Sequence, residues 1–245
     1  MRKACLTLML ITLMAGCHNV ASERRDNLRR DDEATSLADQ PKRRVELKRI
    51  VLGEPGKPRD PDPHYRATAV QDLGNFGNAD DLEALFEALS GPYADENRQV
   101  RMEAAIAIGK LKYSGVTDRR RKLALERLTA RLAYERDAAS RLLEGDYLVR
   151  GAMINSLAAL GHRDAASALH DISKRILSDM TNPETLVFTG PGEEGLFDNC
   201  LDGIRRLTGV SAQAAAQDRA SHDNVEDHLS WWAARIAEMP PTPLG

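Results

Sequence analysis

The chain is poor in the residues that most often carry chemistry. It holds only three cysteines, Cys5, Cys17 and Cys200, and no Cys-x-x-Cys pair, which excludes a disulfide-stapled scaffold and a thiolate zinc site. Six histidines occur, at 18, 64, 162, 170, 222 and 228. The closest pairs, His162 with His170 and His222 with His228, miss the i, i+3 or i, i+4 spacing that puts two metal ligands on one helix face, and no histidine is followed by glutamate. They read as surface residues. The glycine-rich stretch Thr189 to Gly195 lacks the Gly-Lys-Ser/Thr ending of a phosphate loop, and the charges of Glu193 and Glu194 repel phosphate. Ser156, Ser167 and Ser173 sit in helical patterns without a Gly-x-Ser-x-Gly elbow. There is no surplus of positive charge either. Lys and Arg number 34 against 37 Asp and Glu, for a formal net charge of −3, which argues against a nucleic-acid binder. Only one apolar run stands out, near the start, and no second one reaches membrane-spanning length. The sequence shows no catalytic set, no metal or cofactor site and no small-molecule substrate.

What is present begins at the N-terminus. A basic start (Arg2, Lys3), an apolar run from Leu6 to Met14 and the small pair Ala15-Gly16 before Cys17 have the layout of a secretory signal, too short to span a bilayer as a mature helix. The ending Met14-Ala15-Gly16-Cys17 resembles the bacterial lipoprotein lipobox. That resemblance implies a signal peptide over 1–16 and acylation of Cys17, with two or more acyl chains giving durable membrane attachment. The alternative is an ordinary cleaved signal; in both cases the protein is exported. Cleavage before Cys17 removes Arg2 and Lys3 and moves the net charge from −3 to −5. Lipidation leaves Cys200 alone as a buried structural thiol, whereas an unmodified Cys17 leaves open a bridge between the two or a dimer disulfide. From His18 to Gln40 the chain alternates acids with arginines and has almost no large apolar residues, so it reads as a solvated tether. His18 stands where an aspartate would resemble an inner-membrane retention signal. The expected location is therefore the bacterial cell envelope, lipid-anchored, with the periplasmic side of the outer membrane favoured.

Internal repetition discloses the folded part. The segments Arg66 to Gly74, Arg101 to Gly109 and Arg150 to Ala158 each carry an arginine, small or apolar residues three and four positions later, and a branched aliphatic at the seventh. Phe197 to Ile204 is a weaker copy with phenylalanine in the arginine's place. Second helices follow from the i, i+3, i+4, i+7 stripes Leu82, Leu85, Phe86, Leu89; Leu125, Leu128, Leu132; and Ala165, Ala168, Leu169, Ile172, Ile176. Val225, Leu229, Trp232 and Ile236 form the last stripe, with Asp223 or Asn224 as N-cap. An opening helix runs from Pro41 to Leu52 and gives way to Asp60-Pro61-Asp62-Pro63, where prolines forbid continuation. The recurrent arginines should line up as a ladder that bonds acids or turn carbonyls of adjacent units. The cluster Arg119 to Lys122 opens a helix, where cations oppose the helix dipole; it reads as a solvated turn, with contact to an acidic partner or phosphate as the alternative.

The stretch Asp60-Pro-Asp-Pro-His-Tyr-Arg66 through Leu73-Gly74 to Leu89 resembles the HEAT-repeat family, particularly its bacterial HEAT-like members. The resemblance implies an all-α, right-handed α-solenoid of about four to five helical hairpins over 41–238, with 239–245 as a disordered tail. The resemblance names an architecture and leaves function open; export, the tether, the extended repeat surface and the lack of a catalytic set together give the expectation of a non-catalytic scaffold that binds an unidentified envelope protein and no nucleic acid, held to the membrane through lipid on Cys17. The expected contact residues are Glu83, Glu87, Arg127 and Arg131 on the second helices, together with Trp231. Trp232 should plug the open end of the stack while its neighbour faces elsewhere. The competing readings are an enzyme or accessory like the HEAT-like phycobilin lyases, and an architectural protein whose tether touches wall or lipid.

Overall fold

A computed structural model describes residues 40–241 apart from 55, 91–93, 116–117, 133–143, 182–191 and 223. The expected signal, Cys17 and nearly all of the tether lie outside the described residues. Ten α-helices are described: α1 (Gln40–Leu52), α2 (Pro63–Phe76), α3 (Leu82–Ser90), α4 (Arg98–Lys110), α5 (Arg119–Leu132), α6 (Tyr147–Leu160), α7 (Arg163–Thr181), α8 (Glu193–Thr208), α9 (Ala212–Ser221) and α10 (Val225–Glu238). A 3-10 turn over Ala79–Asp81 leads into α3. The described residues contain no β-strand.

The repeats begin with the same local device. Asp62, Asn97 and Asp146 are the N-caps of α2, α4 and α6, and each side chain accepts the backbone N–H two residues on. A cap of this type contributes about 1 kcal/mol, so the chain marks each unit's first helix at an equivalent position. Asn224 caps α10 through the N–H of Asp227, which decides between the two candidates there.

The helices form two layers. In the first, α2, α4, α6 and α8 stack side by side; in the second lie α1, α3, α5, α7 and α10. Each second-layer helix from α1 to α7 rests on the first-layer helix that follows it in the chain, so the hairpins are sewn together across unit boundaries. Three hairpins are complete (α2–α3, α4–α5, α6–α7), and a fourth pairs α8 with α10 around the inserted α9. The opening helix α1 occupies the place of a second helix without a first. It is tied down by Asp81, whose side chain is fully buried and meets Arg44 Nε and Lys48 Nζ of α1, each at 2.6 Å.

First-layer helices approach closely because their facing residues are small. A Cβ on Gly74 would lie 2.8 Å from the Ala107 Cα, and one on Gly109 would lie 3.0 Å from the Ser156 Cα. The Ser156 hydroxyl donates to the Ala105 carbonyl at 2.6 Å, so even the polar residue in this seam is satisfied. Leu73, Val100, Ile108, Ile154 and Leu157 are fully buried beside it, each side chain contributing roughly 2 kcal/mol of transfer energy. Two expectations need correction. The buried stripe of α5 is Ala124, Leu128 and Leu132, with Leu125 only half-buried. Val225, in the first turn of α10, is 38% exposed, because it lines an open groove between α10 and α7.

Candidate functional site

Three arginines that recur in the repeats form a ladder inside the molecule. Arg66 donates to both Asp95 carboxylate oxygens, at 2.7 and 2.8 Å, and to the Asp60 carbonyl at 2.6 Å. Arg101 does the same to Glu144 at 3.2 and 3.3 Å. Arg150 grips Glu193 at 2.5 and 3.0 Å. In each case the acid stands at the entrance of the next unit's first helix. Asp95 and Glu144 also accept the backbone N–H of the N-cap residue two positions on, so one carboxylate joins the turn of its own unit to the arginine of the preceding one. Burial pushes the Asp95 carboxyl up, but the Arg66 guanidinium and the Asn97 N–H outweigh it and hold the group below the ordinary carboxylate range. Arg66 and Arg150 are almost wholly buried. This ladder is a structural spine, closed to ligands.

The second layer is different. Glu83 and Glu87 on α3 face Arg127 and Arg131 on α5 across a groove of about 430 Å³, with Phe86 and Ala130 between them. All four second-helix residues expected as contacts therefore meet in one place. Arg127 Nη1 donates to Glu83 Oε2 at 2.7 Å, and its guanidinium lies 5.1 Å from the Phe86 ring centroid, within cation–π range. Arg131 points to the interior end of the groove, where the one acid it meets among the described residues is Glu144 at 3.9 Å. Desolvation lowers its pKa, only partly countered by Glu144, and Arg101 opposes it further. Its Nε is buried without a hydrogen-bond partner. Glu87 is exposed and makes no ion pair among the described residues.

A second groove of about 630 Å³ separates α7 from α10, with Leu177, Leu229 and Ala233 as apolar lining and Lys174 and Glu226 at the sides. Trp231 lies near this end, but as a half-buried residue. Its ring stacks on His228 at 6.1 Å and 8°, meets Trp232 edge-on at 4.7 Å, and carries the Arg235 guanidinium at 5.2 Å. The expected open anchor is thus partly covered by its own helix. Trp232, only 1% exposed, fills the end of the core.

Of the described histidines, His64 is exposed as expected, His162, His170 and His222 are half-buried, and His228 departs from the surface reading. His228 is buried; its Nδ1 lies 2.8 Å from Asp218 Oδ2, and its Nε2 accepts from Trp232 Nε1 at 3.0 Å. An indole N–H can only donate, so the imidazole proton sits on Nδ1, facing Asp218. His222 Nε2 contacts the other oxygen of Asp218 at 3.1 Å. The clasp holds α9, which buries no residue of its own, against α10. Its signal in the sequence is a pair of i, i+4 spacings, Asp218 with His222 and His228 with Trp232. Within the basic cluster that opens α5, Arg120 pairs with Asp80 at 2.6 Å, while the Arg121 Nε is buried without a hydrogen-bond partner. Burial raises the pKa of the Cys200 thiol, leaving it unreactive. Among the described residues no group of three His, Cys, Asp or Glu side chains is placed to hold a metal, and no helix is long and apolar enough to cross a membrane.

Residues 58–144, which contain α2 to α5 and end on the Glu144 rung, match the family model of HEAT repeats. The matched stretch is accordingly similar to HEAT repeats, and it continues on both sides into the same all-α array of stacked helices; HEAT repeats are in general protein-interaction motifs. No curated protein and no solved structure matches the chain.

Proposed function

We propose that this protein is a non-catalytic scaffold of the bacterial cell envelope, anchored through lipid on Cys17, that binds another protein along its second-helix layer. The observation that carries this reading is the groove between α3 and α5. There the molecule gathers two acids and two arginines around the edge of the largely buried Phe86 ring, while the recurrent Arg66, Arg101 and Arg150 are held in the internal ladder. Charged side chains around a small apolar centre are what a non-obligate protein interface presents. The leader and the acid- and arginine-rich stretch after Cys17 support the envelope part: they suit an exported domain held off the membrane on a solvated tether.

Crosslinking the tagged protein in its native envelope tests both parts. Cys17→Ala should release the protein from the membrane fraction and abolish incorporation of labelled fatty acid. Charge reversal of Glu83 and Arg127 together with Glu87 and Arg131 should remove a reproducible protein partner without changing the helix content. Retention of every crosslink after reversal would refute the binding surface. Capture of wall or lipid alone, lost on removal of residues 18–40, would replace the scaffold with an architectural role.

A further inference from the structure

We infer that the groove between α3 and α5 receives a partner segment carrying an acid and a base within about one helical turn, the acid seated on Arg131 and the base on Glu87. This deepens the interaction-scaffold reading and rests on it. The argument is one of unequal rungs. Glu83 and Glu87 are spaced i, i+4 on α3, as Arg127 and Arg131 are on α5, so each helix offers the groove two charges one turn apart. The first rung closes within the molecule, Glu83 to Arg127 at 2.7 Å. The second does not. Arg131 is drawn toward Glu144 at 3.9 Å, and that carboxylate is already held by both prongs of Arg101. Among the described residues two guanidiniums therefore share one carboxylate, and the surplus positive charge falls on Arg131.

Desolvation sharpens the imbalance. The Arg131 side chain is 26% exposed, and its Nε is buried with no acceptor, a position in which a counter-charge is worth more than in open water. On the facing wall Glu87 stands in solvent with no ion pair among the described residues. Phe86 and Ala130 form the apolar patch between the two open charges, and the closed first rung fixes that end of the groove. An incoming carboxylate would restore one anion per guanidinium at the interior end. An incoming ammonium or guanidinium would complete Glu87 at the rim. A segment with one sign alone would satisfy one wall and meet repulsion from the other, so the site selects a mixed-charge segment over a purely acidic or purely basic one.

A randomised peptide library displayed on phage and selected on the full-length protein in detergent tests this, with Glu87→Gln and Arg131→Gln as parallel baits. Wild type should enrich peptides with an acid and a base one turn apart. In fluorescence-anisotropy titrations of a winning peptide, replacing either charge by glutamine should weaken binding about tenfold, in the range of a close interfacial ion pair. Arg131→Gln should cancel the preference for the acid while keeping that for the base, and Glu87→Gln the reverse. Arg131→Gln should also keep the wild-type thermal midpoint, since it removes an undercompensated cation. Winners without a charge pattern, winners indifferent to both substitutions, or no winner competing for the groove would each overturn the inference. A native partner crosslinked in the envelope but unaffected by both substitutions would overturn it too while sparing the scaffold reading; absence of any protein partner would sink the scaffold itself.

Discussion

Arg150 and Arg127 invite comparison because their chemistry on paper is the same. Each is an arginine paired with a glutamate of a neighbouring unit, 43 residues away for Glu193 and 44 for Glu83. Their surroundings are opposite. The Arg150 and Glu193 side chains are 4% and 9% exposed, those of Arg127 and Glu83 40% and 65%. In the first layer small residues bring helices together and seal the pair from water, so removing one member strands a buried charge. In the second layer the helices stand apart, the pair stays solvated, and little folding energy depends on it. The same ion pair is thus sealed between close-packed helices in one layer and left in solvent between separated helices in the other.

The comparison can be broken from the buried side first. Arg150→Met should lower unfolding stability by about 3 kcal/mol, the lower part of the range for removing one partner of a buried ion pair, measured by urea denaturation. A loss below that of a surface substitution would show the ladder to be ornamental. Gly74→Val comes next. Its Cβ would press on the Ala107 backbone, and overpacking of this kind costs about 2 kcal/mol, visible as a lower thermal midpoint with unchanged native helix content.

Acid offers a third, smaller handle. Burial works to raise both Asp81 and Asp95, yet their partners, Arg44 and Lys48 for the first and Arg66 for the second, hold both below the ordinary range. The stabilisation is complete above the unfolded carboxylate pKa and drains away as pH falls through it toward the folded values. Asp95→Asn should therefore be less stable than wild type at neutral pH, with the gap narrowing on acidification. A gap independent of pH would contradict the assignment. Smallest of all, a double-mutant cycle on Glu83→Ala and Arg127→Ala should give a coupling of about 0.2–1 kcal/mol that fades with salt. A salt-insensitive coupling well above that would erase the contrast between the layers.

Much of the architecture is legible without coordinates. The arginine register at 66, 101 and 150, the apolar stripes and the cap residues mark helices and their order, because burial of one face and satisfaction of terminal N–H groups are local demands. The convergence of Glu83, Glu87, Arg127 and Arg131 also follows, since charges flanking equivalent stripes must share the solvent side of neighbouring helices. Other features are not local. Surface spacing alone does not tell that His228 is buried between Asp218 and Trp232, that Trp231 is covered by His228 and Arg235, or that α9 is held by a carboxylate. Nor does it tell that one rung closes while the next stays open.

The sequence by itself determined the helices, their repetition and the sign of charge on each face, through periodicity, capping and turn chemistry that act within a few residues. Only the tertiary structure decided which arginine is sealed and which is offered. That choice depends on how closely two helices approach, and so on whether Gly74 meets Ala107 across a seam or Glu87 meets water across a groove.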